Sequence, residues 1–287
     1  MSGERGSADG SAPTIGVFDS GFGGLTVLRA LIARMPRARF AFLGDTARLP
    51  YGSKSRRTIA RYAAESAQFL VNEQGAEYLV IACNTASALA LDAIQDAVPV
   101  PVLGVIEPGA AAARAASTAR DVLVIATDAT VHSHAYAAAC QAQGLRALEK
   151  ACPLLVPLVE EGWTDQPVTA EVIRIYLDEL RADAAAQGLT PDTLVLGCTH
   201  YPLLRPLIEQ VLSEAGPGPI RVIDSAESTA EAAVRLFHGR ATLTGEGPAA
   251  ATRVRCFATD SVDKFERLGS RFLGRPVGHV ELIDLGG

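Results

Sequence analysis

Short runs of β-branched and other apolar residues recur along the chain, each closed by glycine or polar residues and followed by a longer segment with helical spacing. The apolar runs are Thr14 to Phe18, Phe40 to Leu43, Tyr78 to Ala82, Val100 to Val105, Val122 to Ala126, Thr193 to Leu196 and Ile220 to Ile223. Between them, Gly24 to Met35, Arg56 to Gln74, Ala86 to Ala97 and Thr169 to Ala186 carry the Ala and Leu content and the apolar period of helices. Strands that are apolar almost throughout, separated by helices, predict an α/β fold with mainly parallel sheets covered on both faces. In such a sheet a ligand lies beyond the carboxyl ends of the strands, so chemistry is sought in the residues that follow each strand.

Two of those strand ends match. YLVIACNT at 78–85 and TLVLGCTH at 193–200 each run from an apolar strand into a small residue, a cysteine and two polar residues, with Cys83 and Cys198 lying 115 residues apart. A weaker echo links GVFDS at 16–20 with VIATDAT at 124–130. The repetition predicts two pseudo-symmetric doubly wound domains with an active site in the cleft between them. The first domain is expected at 14–106 plus 224–287 and the second at 107–223. Residues 1–13, rich in Gly, Ser and charge, read as a disordered tail rather than a signal peptide.

Composition narrows the classes of function. A chain of 287 residues that is 48% hydrophobic can bury a large core and is too apolar for a disordered one. Its net charge of −6 argues against a partner gripped through phosphates, so small substrates are expected and nucleic acid is not. No apolar run approaches the roughly 18 residues of a membrane span. Five cysteines, an odd number without a CxxC pair, point to free thiols in a reducing cytoplasm rather than to disulfides.

A cysteine that ends a parallel strand above a helix N-terminus sits where the helix favours a thiolate or a bound carboxylate. One such cysteine alone reads better as a small buried apolar residue. A matched pair facing one cleft suits moving a proton across a planar carbon, with one thiolate abstracting and the other thiol delivering. Asp19, Asp45, Glu160 and His200 are the candidates to orient and exchange protons; Asp45 and Glu160 are explained as well by a helix cap or a solvated face. DSGFGG at 19–24 reads as a Gly-rich loop whose N–H groups approach a carboxylate, because Thr26 stands where a dinucleotide fingerprint needs Gly. Asn84, Thr85 and Thr199 follow strands, where capping and ligand binding coexist, and Tyr51-Gly52 reads as a turn. Cys198 and His200 could share a metal, but no second ligand pair has zinc-site spacing and His132 and His134 fall on what reads as a helix start, so neither metal nor cofactor is expected. Cys140, Cys152 and Cys256 read as structural, and Trp163 as a packing group.

DSGFGGLTVL at 19–28, GDTARLPYG at 44–52, ACNTASA at 82–88, CPLLVPLVEEG at 152–162, GCTHYPLL at 197–204 and IDSAESTA at 223–230 together resemble the glutamate racemases of the aspartate/glutamate racemase family. The resemblance runs from about Thr14 to the C-terminus. It implies a cofactor-independent interconversion of L- and D-glutamate that supplies peptidoglycan synthesis, carried out by a cytoplasmic homodimer. It further implies Cys83 and Cys198 as base and acid on opposite faces of Cα, assisted by Asp19, His200 and Glu160, with Glu161 an adjacent competitor. Substrate contacts carry over to Asp19, Ser20, Tyr51, Gly52, Asn84, Thr85, Thr199 and His200. Thr127 and Thr130 carry over as partners of the side-chain carboxylate. An aspartate racemase is the near alternative, disfavoured by the histidine after Cys198-Thr199. A hydrolase with Cys198 activated by His200 leaves Cys83 unexplained, and a non-catalytic acidic-ligand regulator does not need both thiols.

Overall fold

The computed structural model describes residues 12–214, 218–237 and 253–286. Of the tail expected at 1–13, residues 1–11 lie outside the described residues, whereas Pro13 is buried and its carbonyl accepts from the Arg39 N–H at 3.1 Å.

The strands β1 (Thr14–Asp19), β2 (Arg39–Gly44), β3 (Tyr78–Ile81) and β4 (Val102–Gly104) alternate with α1 (Leu25–Arg34), α2 (Arg56–Gln68), α3 (Asn84–Leu89) and α4 (Leu91–Ala97). After α5 (Ile106–Ala116) come β5 (Asp121–Ala126), α6 (Asp128–Ser133), α7 (Ala135–Ala142) and β6 (Arg146–Ala151). Then follow α8 (Leu155–Glu160), α9 (Pro167–Ala186), β7 (Thr193–Gly197), α10 (Arg205–Glu214) and β8 (Arg221–Asp224). The chain closes with α11 (Ser225–Leu236), β9 (Val254–Ala258), α12 (Val262–Leu273) and β10 (Val280–Leu282).

The described strands form two sheets, ordered β10-β9-β2-β1-β3-β4 and β6-β5-β7-β8, and every pairing is parallel. The winding β2-β1-β3-β4 is therefore repeated as β6-β5-β7-β8, with β9 and β10 added beyond β2. In each sheet the chain reverses its direction of travel at the central strand, which opens a crevice at the carboxyl ends of β1 and β3, and again of β5 and β7. β1, β5 and β7 are buried along their whole length, as strands covered by helices on both faces must be. Helix α11 packs on both α1 and α5, so the helical layers of the two sheets meet in one continuous core.

Three strands lie outside the apolar runs: β9, around Cys256, as well as β6 and β10. β6 reads RALEKA because it is a half-solvated edge, and β10 is three residues long. The helix expected over 86–97 is two helices broken at Ala90, and the Leu89 carbonyl freed near the break accepts from Arg56 Nε at 3.1 Å. Trp163, expected to pack, is 48% exposed, while all five cysteines are free and buried. No described helix is long and apolar enough to cross a membrane.

Candidate active site

The carboxyl ends of the two sheets face each other across a cavity of about 360 Å³ into which both matched thiols open. From the first sheet, Asp19 ends β1, Ser20 follows it, and Cys83 follows β3 and caps α3, its Sγ accepting from the Ala86 N–H at 3.4 Å. Asn84 and Thr85 open α3, and Tyr51 and Gly52 approach on a short 3₁₀ turn. From the second sheet, Thr127 follows β5, Glu160 ends α8, and Cys198, Thr199 and His200 follow β7. Thr130 does not line the cavity; it is fully buried behind Thr127, with the two hydroxyls 2.9 Å apart. Glu161 is exposed at the end of α8.

The surroundings of the two thiols differ. Ser20 Oγ lies 3.3 Å from Cys83 Sγ. Asp19 beside it is buried, one carboxylate oxygen accepting from the Gly21 N–H at 3.0 Å while the other has no protein partner. Burial raises the Asp19 carboxyl above its ordinary value despite nearby His200 and backbone donors. Burial, and then the Asp19 charge, push the Cys83 thiol up to about 12.

On the other side, His200 Nδ1 lies 4.0 Å from Cys198 Sγ and 3.3 Å from Thr199 Oγ1. Its Nε2 stands 3.4 Å from Glu160 Oε1, at ion-pair distance but off hydrogen-bond alignment. The other Glu160 oxygen accepts from Lys264 Nζ at 3.2 Å. Burial works against charge on His200, but Cys198 and Glu160 outweigh it and lift the imidazole to about 10. Burial also raises the Glu160 carboxyl, and His200 and Lys264 more than reverse this, leaving it lowered.

Polar contacts tie the two walls together. Thr85 and Thr127 hydroxyls are 3.2 Å apart, the Tyr136 phenol donates to Asn84 Oδ1 at 2.7 Å, and the Thr26 hydroxyl is shared between the Gly23 and Thr199 carbonyls. Two glycines of DSGFGG are required by this closeness. A Cβ on Gly23 would overlap the Thr199 hydroxyl and the His200 ring, and one on Gly24 would come within 2.6 Å of Asp19 Cβ. Asp45 lies outside the cavity, fully buried, where it accepts from the Tyr51 phenol at 2.6 Å and the Thr259 hydroxyl at 2.9 Å. It thereby fixes a cavity wall.

Phe22, Val156 and Pro157, which form apolar wall, carry no chemistry that marks them in the sequence, and no local motif marks Lys264. His132 lies in the last turn of α6, and His134, in the left-handed conformation, ends α6 and stands at the start of α7 as its N-cap. They pair with Asp128 at 3.2 Å and Glu149 at 3.3 Å. Among the described residues no group of three or more His, Cys, Asp or Glu could hold a metal ion.

The family model described as Asp/Glu/Hydantoin racemase matches residues 24–233. The glutamate racemase of Koribacter versatilis is 53% identical over 294 aligned positions, covering 96% of this chain and 98% of its own. Glutamate racemase from Thermus thermophilus, solved with β-chloro-D-alanine, superposes with a TM-score of 0.80 at 44% identity, covering 96% of this chain and 98% of that one. The Francisella tularensis enzyme, solved with D-glutamate, gives 0.82 at 33% identity with the same two coverages.

Proposed function

Because the chain belongs to the Asp/Glu/hydantoin racemase family and is an amino-acid racemase, we propose that it interconverts L- and D-glutamate without a cofactor, by two-base proton transfer between Cys83 and Cys198. The observation that carries the reading is the pair of thiols at matching strand ends, one from each sheet, opening into one cavity with unlike charged groups beside them.

Glutamate binds with Cα between the sulfurs. One cysteine, as thiolate, takes the Cα proton, and the C–H electron pair moves into the α-carboxylate to give a planar enediolate. The S–H bond of the other cysteine then breaks, its proton adds to the opposite face of Cα, and its electron pair stays on sulfur. The thiol and thiolate have exchanged places and the product is the mirror image. Asp19 obstructs ionisation of Cys83 until an ammonium group binds beside it and cancels its charge. His200, held protonated past neutrality, compensates negative charge at Cys198 and is itself oriented by Glu160. Ser20, Tyr51, Gly52, Asn84, Thr85, Thr127 and Thr199 contact the substrate, with Thr130 supporting Thr127.

We assign the domains as 14–106 plus 224–287 and 107–223. We further assign the protein to the cytoplasm as a homodimer supplying D-glutamate to peptidoglycan, in keeping with its free thiols. The decisive experiment incubates the protein with L-glutamate in D₂O without added cofactor, following circular dichroism and Cα deuteration. The expected result is loss of the optical signal with deuterium at Cα, and a fall of at least about a hundredfold in both Cys83→Ser and Cys198→Ser. Full activity in either variant overturns the two-base mechanism. Turnover of aspartate alone overturns the substrate, and activity only after a metal or pyridoxal phosphate is added overturns the cofactor-free chemistry.

A further inference from the structure

We infer that Tyr136 is a positioning residue for substrate recognition: its phenol locks the Asn84 amide so that the amide N–H groups, and not the oxygen, face the bound carboxylate. The inference rests on the reading that glutamate occupies the cavity. Tyr136 comes from α7 of the second sheet and is fully buried, yet its hydroxyl crosses to the first sheet and donates to Asn84 Oδ1 at 2.7 Å. A place is cleared for the ring. A Cβ on Gly197, the residue before Cys198, would approach Tyr136 Cε2 to 2.9 Å, and one on Gly109 in α5 would approach Cε1 to 3.2 Å.

An amide has one acceptor oxygen and a nitrogen with two hydrogens. With the oxygen taken by the phenol, Asn84 Nδ2 is left buried in a residue only 3% exposed, lining the cavity, without a protein partner. A buried donor with nothing to donate to is unfavourable, and an incoming carboxylate oxygen satisfies it. Without the phenol hydroxyl the amide can turn its oxygen into the cavity, where it repels the anion it should bind. The tyrosine thus acts on the substrate only through Asn84.

The test is a double-mutant cycle in which D-glutamate is titrated calorimetrically into wild type, Y136F, N84A and Y136F/N84A, with thermal midpoints as the folding control. If wild type does not bind glutamate, the functional reading fails and takes this inference with it. With wild-type binding established, Y136F is expected to weaken glutamate about tenfold, and to add less than about twofold in the N84A background. Wild-type affinity in Y136F overturns the assignment. So does an equal loss in both backgrounds, since a merely structural tyrosine acts whatever stands at position 84. If Y136F does not fold, the amide itself is read: in wild type with D-glutamate bound, Asn84 side-chain N–H signals shifted by the ligand support the inference, and signals unmoved by glutamate, or wild-type affinity in N84A, overturn it.

Discussion

Cys83 and Cys198 are the same side chain in opposite electrostatic settings, and the difference can be measured. Cys83 has a carboxylate for a neighbour and a thiol raised to about 12, whereas Cys198 has an imidazole lifted to about 10. Because the folded-state value of His200 lies above its ordinary 6.5, its stabilising charge is fully present below about pH 6.5 and is lost as the pH rises through about 10. Thermal melts across that window should show His200→Asn losing less stability than wild type as the pH climbs; parallel curves would show that His200 carries no such charge. The same variant is expected to racemise about a hundredfold more slowly. Asp45 and Glu160 show why such roles are only half legible in a sequence. On spacing each is a cap or a chemical group, and the outcome depends on distant partners: Glu160 reaches His200 and Lys264, while Asp45 turns to Tyr51 and Thr259. Lys264 and Tyr136 stay invisible because what they touch lies on the opposite sheet.

At the scale of elements, the strands were the readable part, for the physical reason that a parallel strand buried on both faces must be apolar throughout. β6 escapes the pattern because its edge position leaves every residue partly or fully exposed, and charge can alternate along it. The break at Ala90 escapes because alanine is favourable on either side of it. The loop from β1 to α1 is the element most constrained by its surroundings. Gly23→Ala, which would drive a methyl group into Thr199 and His200, should lower the melting temperature and reduce turnover at least tenfold, the scale of about 1.4 kcal/mol. Gly52→Ala is the folding control, since a Cβ there meets nothing within 4 Å. A Gly23→Ala enzyme with wild-type melting and rate would mean the loop and the strand end are not held as close as described.

For the whole molecule, the two sheets share a core through α11 and are bridged at the cavity by Thr85–Thr127 and Tyr136–Asn84. A ligand seated among these bridges binds the folded state alone. Glutamate, the proposed substrate, should therefore stabilise the protein by about 2.7 kcal/mol at a hundredfold excess over its dissociation constant, read as a rise of several degrees in melting temperature. An unchanged melting temperature would mean that glutamate does not bind the folded protein in preference to the unfolded chain. The repeated strand order has a further consequence. It maps one thiol onto the other, yet the side chains around them are not repeated: serine and aspartate attend Cys83, histidine and glutamate attend Cys198. Enantiomers have equal free energy in water, so the equilibrium constant is unity and kcat/KM must be identical in the two directions. The unlike neighbours can then tell left from right only by moving kcat and KM together, and the hand with the lower KM must be the one that turns over more slowly.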